Sequence, residues 1–408
     1  MTPIAQAGQP KLRPIDARPV VQAGRAAIVL RDPLRLSEKT VIIPQHLAPV
    51  LSLCDGTRDA SALSAALAVR FGLRVGHDVM ERLLAAFDEA FLLENERSQQ
   101  ARERALTEYR QAPSRRPSLA GNGYPADADE LRGVLRGYMD AVQDVAPDPA
   151  GGRGLVTPHI DYDRGGPVYA RVWKQATEMV RAAELAVILG TDHYGQDGRI
   201  TMTRQHYATP FGVLPTASQV VNELAEAMGA EEAFADELHH RGEHSIELAA
   251  VWLHHVRQGE PCELVPILCG SFEGHVLGDA HPASDPTIVA LVDTLRQVVG
   301  QRRAIVVASG DLSHVGPAFG GHPLDILGRA QLQAADDLFI QRICAGDAEG
   351  FFDAVRREGN RTNVCGLLPI YLMLRILSPV QGEQVAYDRC PADDRGTSLV
   401  SISGIVLR

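Results

Sequence analysis

Ala304-Ile305-Val306-Val307-Ala308, running directly into Ser309-Gly310-Asp311-Leu312-Ser313-His314, is the stretch that decides the fold. The apolar run reads as a buried strand, and the polar residues stand where that strand would end. Two other stretches have the same build. Leu155-Val156 leads into Thr157-Pro158-His159, and Ala186-Val187-Ile188-Leu189 leads into Gly190-Thr191-Asp192-His193. Each of the three delivers a histidine just past the C-terminal end of a short apolar run. Open α/β sheets gather their ligands at that edge.

Outward from these strands the chain alternates. Helical patterns are expected near 168–182, 217–228, 243–256, 286–299, 326–345, 348–358 and 366–377, with a further strand at 264–268 and two closing strands at 384–387 and 399–406. Such alternation predicts an α/β sandwich of helices around one mixed central sheet. The stretch 209–215, Thr-Pro-Phe-Gly-Val-Leu-Pro, reads as an irregular apolar crossing.

Before this lies a different region. Residues 1–20, rich in Pro, Gln and Arg, read as a flexible tail. Residues 21–95 form a small α+β domain, with strands at 27–31 and 41–44 and helical patterns at 49–54, 62–71 and 79–92. Asp59 or Ser61 stands where the second of these helices needs a cap. Residues 96–117 are a charged helix ending in the linker Ala112-Pro113-Ser114-Arg115-Arg116-Pro117. The main domain is 118–408.

Composition sets limits. The chain has 408 residues, 45% apolar and 22% charged, with a formal net charge of -11. That balance gives no basic footprint for nucleic acid and no polybasic membrane patch. No apolar run approaches the ~18–20 residues that span a bilayer. Residues 1–19 lack an apolar signal-peptide core, so a cytoplasmic location is expected. The six cysteines (Cys54, Cys262, Cys269, Cys344, Cys365 and Cys390) form no CxxC pair and read as free thiols.

Each strand-end histidine has a carboxylate beside it in sequence: Asp161 and Asp163 near His159, Asp192 near His193, Asp311 near His314. A metal-bound histidine donates its second ring N–H to a carboxylate or carbonyl, and a histidine acting as general base uses the same pairing. Residue types alone leave both roles open. Cys365, in Asn363-Val364-Cys365-Gly366-Leu367-Leu368-Pro369, opens an apolar helix, where a thiol is favoured as metal ligand or nucleophile. The other five cysteines read as core residues. Glu243 opens the helix that follows Gly242, either for the helix dipole alone or as a supporting carboxylate, and His244 reads as packed or solvent-facing. The pairs His239-His240 and His254-His255 read as surface or packing residues, and His206, His275, His281 and His322 as structural. There is no GxGxxG, P-loop or GxSxG motif.

Taken together and in order, several pieces resemble the Memo family, whose bacterial and archaeal members are called AmmeMemoRadiSam system protein B. They are Leu119-Ala120-Gly121-Asn122-Gly123-Tyr124-Pro125, Thr157-Pro158-His159-Ile160-Asp161-Tyr162, Gly190-Thr191-Asp192-His193, Thr209-Pro210-Phe211-Gly212, Glu243-His244-Ser245-Ile246-Glu247, Ser309-Gly310-Asp311-Leu312-Ser313-His314 and Cys365-Gly366-Leu367-Leu368-Pro369. The resemblance implies a fold like that of the LigB-type class III extradiol dioxygenases, which hold non-haem Fe(II) with two His and one Glu and use a further His as acid/base. It implies metal ligation by His159, His193 and Cys365, with His314 as a further ligand or as the acid/base group, supported by Asp311 and Glu243. Cys365 stands where the dioxygenases have their carboxylate, and a thiolate favours copper, zinc or an altered iron centre. The chain departs from the family where Ile160-Asp161 replaces Ala-Gly and Thr191-Asp192 replaces Pro-Ser, which adds two carboxylates near the site.

The turn Leu53-Cys54-Asp55-Gly56-Thr57-Arg58, with the helices after it, resembles the winged-helix domains of the PqqD type, whose relatives bind a peptide or a partner protein. The expected function is a metal-binding Memo-type protein with redox or non-haem dioxygenase-like activity on a small molecule. Two alternatives stand beside it. One is a non-catalytic binding protein that recruits a peptide or a radical SAM protein through the N-terminal domain. The other is a hydrolase with Cys365 as nucleophile and His314 as base.

Overall fold

The computed structural model describes residues 8–148, 152–278 and 280–408. The chain divides into two compact units between Gln111 and Ala112.

In the first unit, β1 (Asp16–Gln22), β2 (Arg25–Arg31) and β3 (Val41–Pro44) form an antiparallel sheet in that order. Of the region read as a flexible tail, 1–20, residues 1–7 lie outside the described residues, and the rest is tied down by pairing. Lys11 bridges Asp55, Leu12 bridges Leu93, and Asp16 to Pro19 pair with Arg31 to Ile28. Backbone pairing needs no apolar side chains, so composition did not reveal it. Helices follow at Pro49–Leu53, Ala60–Phe71, His77–Glu89 and Glu96–Gln111. Asp59 caps the second by accepting from the Ala62 N–H, and Gly72 ends it in the left-handed conformation at φ 67°. Leu30, Ile43, Leu63, Leu67, Met80 and Phe87 build the core of this unit. The charged helix is not fully solvated, since Ala101, Ala105 and Tyr109 are buried.

The second unit holds β4 (Gly154–Thr157), β5 (Leu185–Thr191), β6 (Ile200–Met202), a separate hairpin of β7 (Tyr207–Thr209) and β8 (Gly212–Leu214), then β9 (Glu263–Cys269), β10 (Ala304–Ser309), β11 (His314–Val315), β12 (Gly382–Pro391) and β13 (Leu399–Leu407). The main sheet runs β11-β13-β4-β10-β5-β9-β6, with β12 also on β13. Its centre, β4-β10-β5-β9, is parallel, and β13 and β6 flank it antiparallel. The sheet is mixed, as expected. Its two faces are both apolar. Val187, Leu189, Val306 and Ala308 pack with helices Ser218–Met228, Pro286–Gln301, Ile326–Cys344, Ala348–Arg357 and Leu367–Leu377. Ala186, Ile188, Ile305 and Val307 pack with Ala128–Ala141, Tyr162–Gln175 and Ser245–Val256. Strand alternation of side chains makes this two-sided core.

One helix starts earlier than its apolar pattern indicates. Tyr162–Gln175 begins shortly after β4 because Asp161 caps it, accepting from the Arg164 N–H, and it ends at Ala176 before a separate short helix, Thr177–Ala182. Gly165-Gly166, which argue against a helix by propensity, lie inside it. A Cβ on Gly166 would come 2.4 Å from the Tyr138 ring, so close packing overrides propensity there. No helix among the described residues is long and apolar enough to cross a membrane.

Candidate metal centre

Strand register brings the three sequence motifs together. Ser309 of β10 lies between Thr157 of β4 and Gly190 of β5, so the loops beyond them leave the sheet side by side. Helix Ser245–Val256 is pinned over the same edge. The Ser245 hydroxyl donates to the Thr191 carbonyl (2.7 Å) and the Ser309 hydroxyl to the Ser245 carbonyl (2.6 Å). The loop carrying Cys365 is equally close. A Cβ on Gly310 would come 2.5 Å from the Cα of Gly366, whose N–H donates to the Asp311 carbonyl at 2.9 Å. Glycine is needed at Gly310 for this backbone-to-backbone approach.

His159, His193 and Cys365 converge, and their ligand atoms all lie within 4.8 Å of one another. His159 is buried. Its Nδ1 faces the Ser309 carbonyl at 3.1 Å, an acceptor only, so Nδ1 carries the proton and Nε2 presents a lone pair. That Nε2 is 3.3 Å from Cys365 Sγ. Two ligands on one tetrahedral ion stand about 3.5 Å apart for N and S donors, so the pair fits a shared cation. His193 is oriented the same way, with Nδ1 3.0 and 3.1 Å from the two Glu243 carboxylate oxygens and its backbone N–H on Glu243 Oε2. His314 donates Nδ1–H to the Asn363 carbonyl at 3.1 Å, and its backbone N–H bonds the Thr362 carbonyl. Asp311 sits between two of the histidines. Its Oδ1 accepts the His159 backbone N–H at 2.9 Å, and its Oδ2 is 3.8 Å from His159 Nε2 and 3.9 Å from His314 Nε2. Asp311, His314 and Cys365 form a second group with ligand atoms within 4.8 Å. A cleft of about 500 Å³, lined by His193, Cys365, Thr191, Phe272, Asn363 and Leu368 among others, opens onto these groups.

Charge follows from this placement. Burial pushes His159 down to about 4 against the pull of Asp311. Burial works against His193 too, but the Glu243 carboxylate outweighs it and raises the imidazole above its ordinary value. Burial would raise Glu243, yet His193 and His244 hold it well below the usual carboxylate range. The Cys365 thiol is pushed well up by burial and by Asp311. Burial also lowers His314.

Four placements differ from the sequence reading. Asp161 faces away from His159 and holds Arg164 (2.7 Å to its Nε). Asp192 pairs with His239 Nδ1 at 2.8 Å instead of His193. The partners of the two histidines come from elsewhere in the chain, because the neighbouring carboxylates are taken up by other groups, Asp161 by Arg164 and the buried Asp192 by His239. His244, read as packed or solvent-facing, joins the site. Its ring stacks on His193 at 4.8 Å, and its Nδ1 is 3.0 Å from the same Glu243 carboxylate. Arg115, read as a linker residue, is buried with its side chain fully enclosed. It pairs with Glu247 and donates to the carbonyls of His240 (2.8 Å) and Glu243 (2.7 Å). Glu247 also accepts from the Ser118 and Leu119 N–H groups and the Tyr124 hydroxyl. The opening segment Arg115 to Tyr124 thus clamps the helix turn that carries Glu243 and His244. The signal for it was present: Glu247 is a carboxylate inside an otherwise apolar helix.

The fold and centre define a mixed α/β protein with an imidazole-rich His/His/Cys group, buried at His159 and open to the cleft at His193, at the C-terminal edge of its parallel strands. The chain belongs to the Memo-like protein family, whose model matches residues 115–405. A MEMO1 family protein of Aquifex aeolicus is 26% identical over 406 residues, covering 98% of this chain and 99% of its own length. Those of Methanopyrus kandleri and Thermococcus kodakarensis are 29% and 28% identical, covering 67% and 72% of this chain and 91% and 99% of their own lengths. The archaeal relatives are thus nearly spanned by two thirds to three quarters of this chain. The Aquifex relative extends across both units.

Proposed function

We propose that the chain is a metal-binding Memo-type protein in which His159, His193 and Cys365 hold one divalent or redox-active ion (iron, copper or zinc), with His314 beside them as a further ligand or acid/base group. One observation carries this reading: three ligand atoms from three different loops lie within 4.8 Å, and both histidines are held with Nε2 inward. When bound, such an ion supplies Lewis-acid or one-electron chemistry at the cleft. The chain's own residues do the rest. Glu243 fixes the tautomer of His193, and Ser309 fixes that of His159. Asp311 orients the His159 loop and faces His314 Nε2, the atom at which a proton would be held or delivered. The cleft is large enough for a small organic substrate. The half-buried Cys365 thiol, pushed well up by desolvation and by Asp311, speaks against a metal-free nucleophile.

X-ray absorption at the edge of the bound metal tests the ligand set. The expected first shell contains one sulfur and at least two imidazole nitrogens, and Cys365→Ser removes the sulfur. A wild-type shell without sulfur would overturn the assignment.

The first unit is proposed to recruit a radical SAM protein or a peptide. Its separability supports a recruiting role, since the family model matches residues 115–405, outside this unit, and the archaeal relatives above cover only 67% and 72% of this chain. Capture of a radical SAM partner should be lost on deleting residues 1–111 and kept in His159→Ala. Capture that survives the deletion rules the role out.

A further inference from the structure

A second cavity, of about 320 Å³, lies at the far end of helix Ser245–Val256 from the metal centre. The helix has 12 residues, so the two sites stand about 18 Å apart along it. Arg132, Arg136, Arg181 and His255 line this cavity over the apolar surfaces of Met139 and Phe211, and no carboxylate is among its lining residues. In a chain with net charge -11, three guanidinium groups around one cavity are a local inversion. They are only weakly satisfied. Arg136 makes no ion pair or hydrogen bond among the described residues. Arg181 spends only its Nε, on the Val256 carbonyl at 3.1 Å. Arg132 pairs with the exposed Asp129 and lies over the Phe211 ring, 5.5 Å from its centroid. The Arg132 and Arg136 charges reach into the cavity: together with burial, which is the larger cause, they push His255 down to about 4.

We propose that this cavity binds a small organic phosphate carrying an apolar ring. Guanidinium groups match phosphate in geometry, and a dianion suits three of them better than a monocarboxylate would. The ring would lie on Phe211 and Met139. The cavity volume of about 320 Å³ stands at the low end of small-ligand sites.

Titration calorimetry on the full chain with phenyl phosphate tests this. One molecule should bind per chain, with inorganic phosphate about tenfold weaker for lack of the ring. Arg136→Gln, at an exposed and unpaired position, should weaken phenyl phosphate about tenfold or more and leave the melting temperature near wild type. The His159→Ala/His193→Ala variant should bind it as wild type does. Three results would each overturn the proposal: no saturable binding of phenyl phosphate, binding unchanged in Arg136→Gln, or binding lost in the His159→Ala/His193→Ala variant. The last would place the phosphate at the metal centre.

Discussion

Glu243→Gln tests the electrostatic design of the centre with little change of shape. Glu243 Oε1 accepts the backbone N–H groups of His244 (2.7 Å) and Ser245 (3.0 Å). Its Oε2 accepts the His193 N–H and Nδ1–H. A glutamine keeps one acceptor oxygen, best placed on the first pair. Its NH₂ then faces two donors of His193. Relief requires the His193 ring to move its proton from Nδ1 to Nε2, the atom that faces the site. Loss of such a supporting carboxylate weakens metal binding about 10–100-fold, or about 1.4–2.7 kcal/mol. The upper end is expected because this one carboxylate also orders His244. The apo fold should lose about 1–3 kcal/mol from the poorly matched buried donors. Competition against a chromophoric chelator gives the affinity, and circular dichroism confirms that the variant is folded. Wild-type affinity in a folded variant would refute the tautomer argument.

Other outcomes follow from the same geometry. Arg115→Ala leaves Glu247 buried and unpaired and should cost about 3–5 kcal/mol in urea unfolding, while Arg115→Met/Glu247→Leu should cost less than either single change. If the double variant is worse than both, the buried pair is not what matters. Gly310→Ala forces apart the backbones of the Asp311 and Cys365 loops, so stability should fall by about 1–3 kcal/mol and metal affinity with it. An unchanged affinity would mean that the close approach does not place Cys365. Acid should destabilise the protein through His240, a neutral imidazole that accepts the Tyr207 hydroxyl at 2.6 Å, donates to the Thr201 carbonyl and is pushed down to about 3 by burial. Its folded value lies below its unfolded value of about 6.5, so the unfolded chain takes up the proton first. Stability is then complete above about pH 6.5 and falls as pH drops toward 3, by about 2 kcal/mol for this group between pH 7 and 5. His240→Gln should flatten that slope in urea midpoints, and an equally steep slope would assign the loss elsewhere.

The three strand ends were legible because parallel strands buried on both faces read as continuous apolar runs, and a residue just past such a run lands at one edge. His159, His193, His314 and Asp311 were read on that logic, Cys365 and Glu243 as helix openings supported by the family resemblance, and the structure brings all six to one edge of the sheet. What escaped depended on tertiary phase. Which of Glu243 and His244 faces the centre is set by how helix Ser245–Val256 sits on Thr191 and Ser309, and the answer is both. Asp161 and Asp192 were adjacent in sequence to the histidines but are taken up by Arg164 and His239. Arg115 hid in a segment of linker composition because its burial comes from Glu247, more than a hundred residues away.

The central claim, a metal held by three loops, is tested most directly by elemental analysis of purified protein. About one iron, copper or zinc per chain is expected in the wild type, and almost none in a folded His159→Ala/His193→Ala variant. Equal metal content in the two proteins would contradict it.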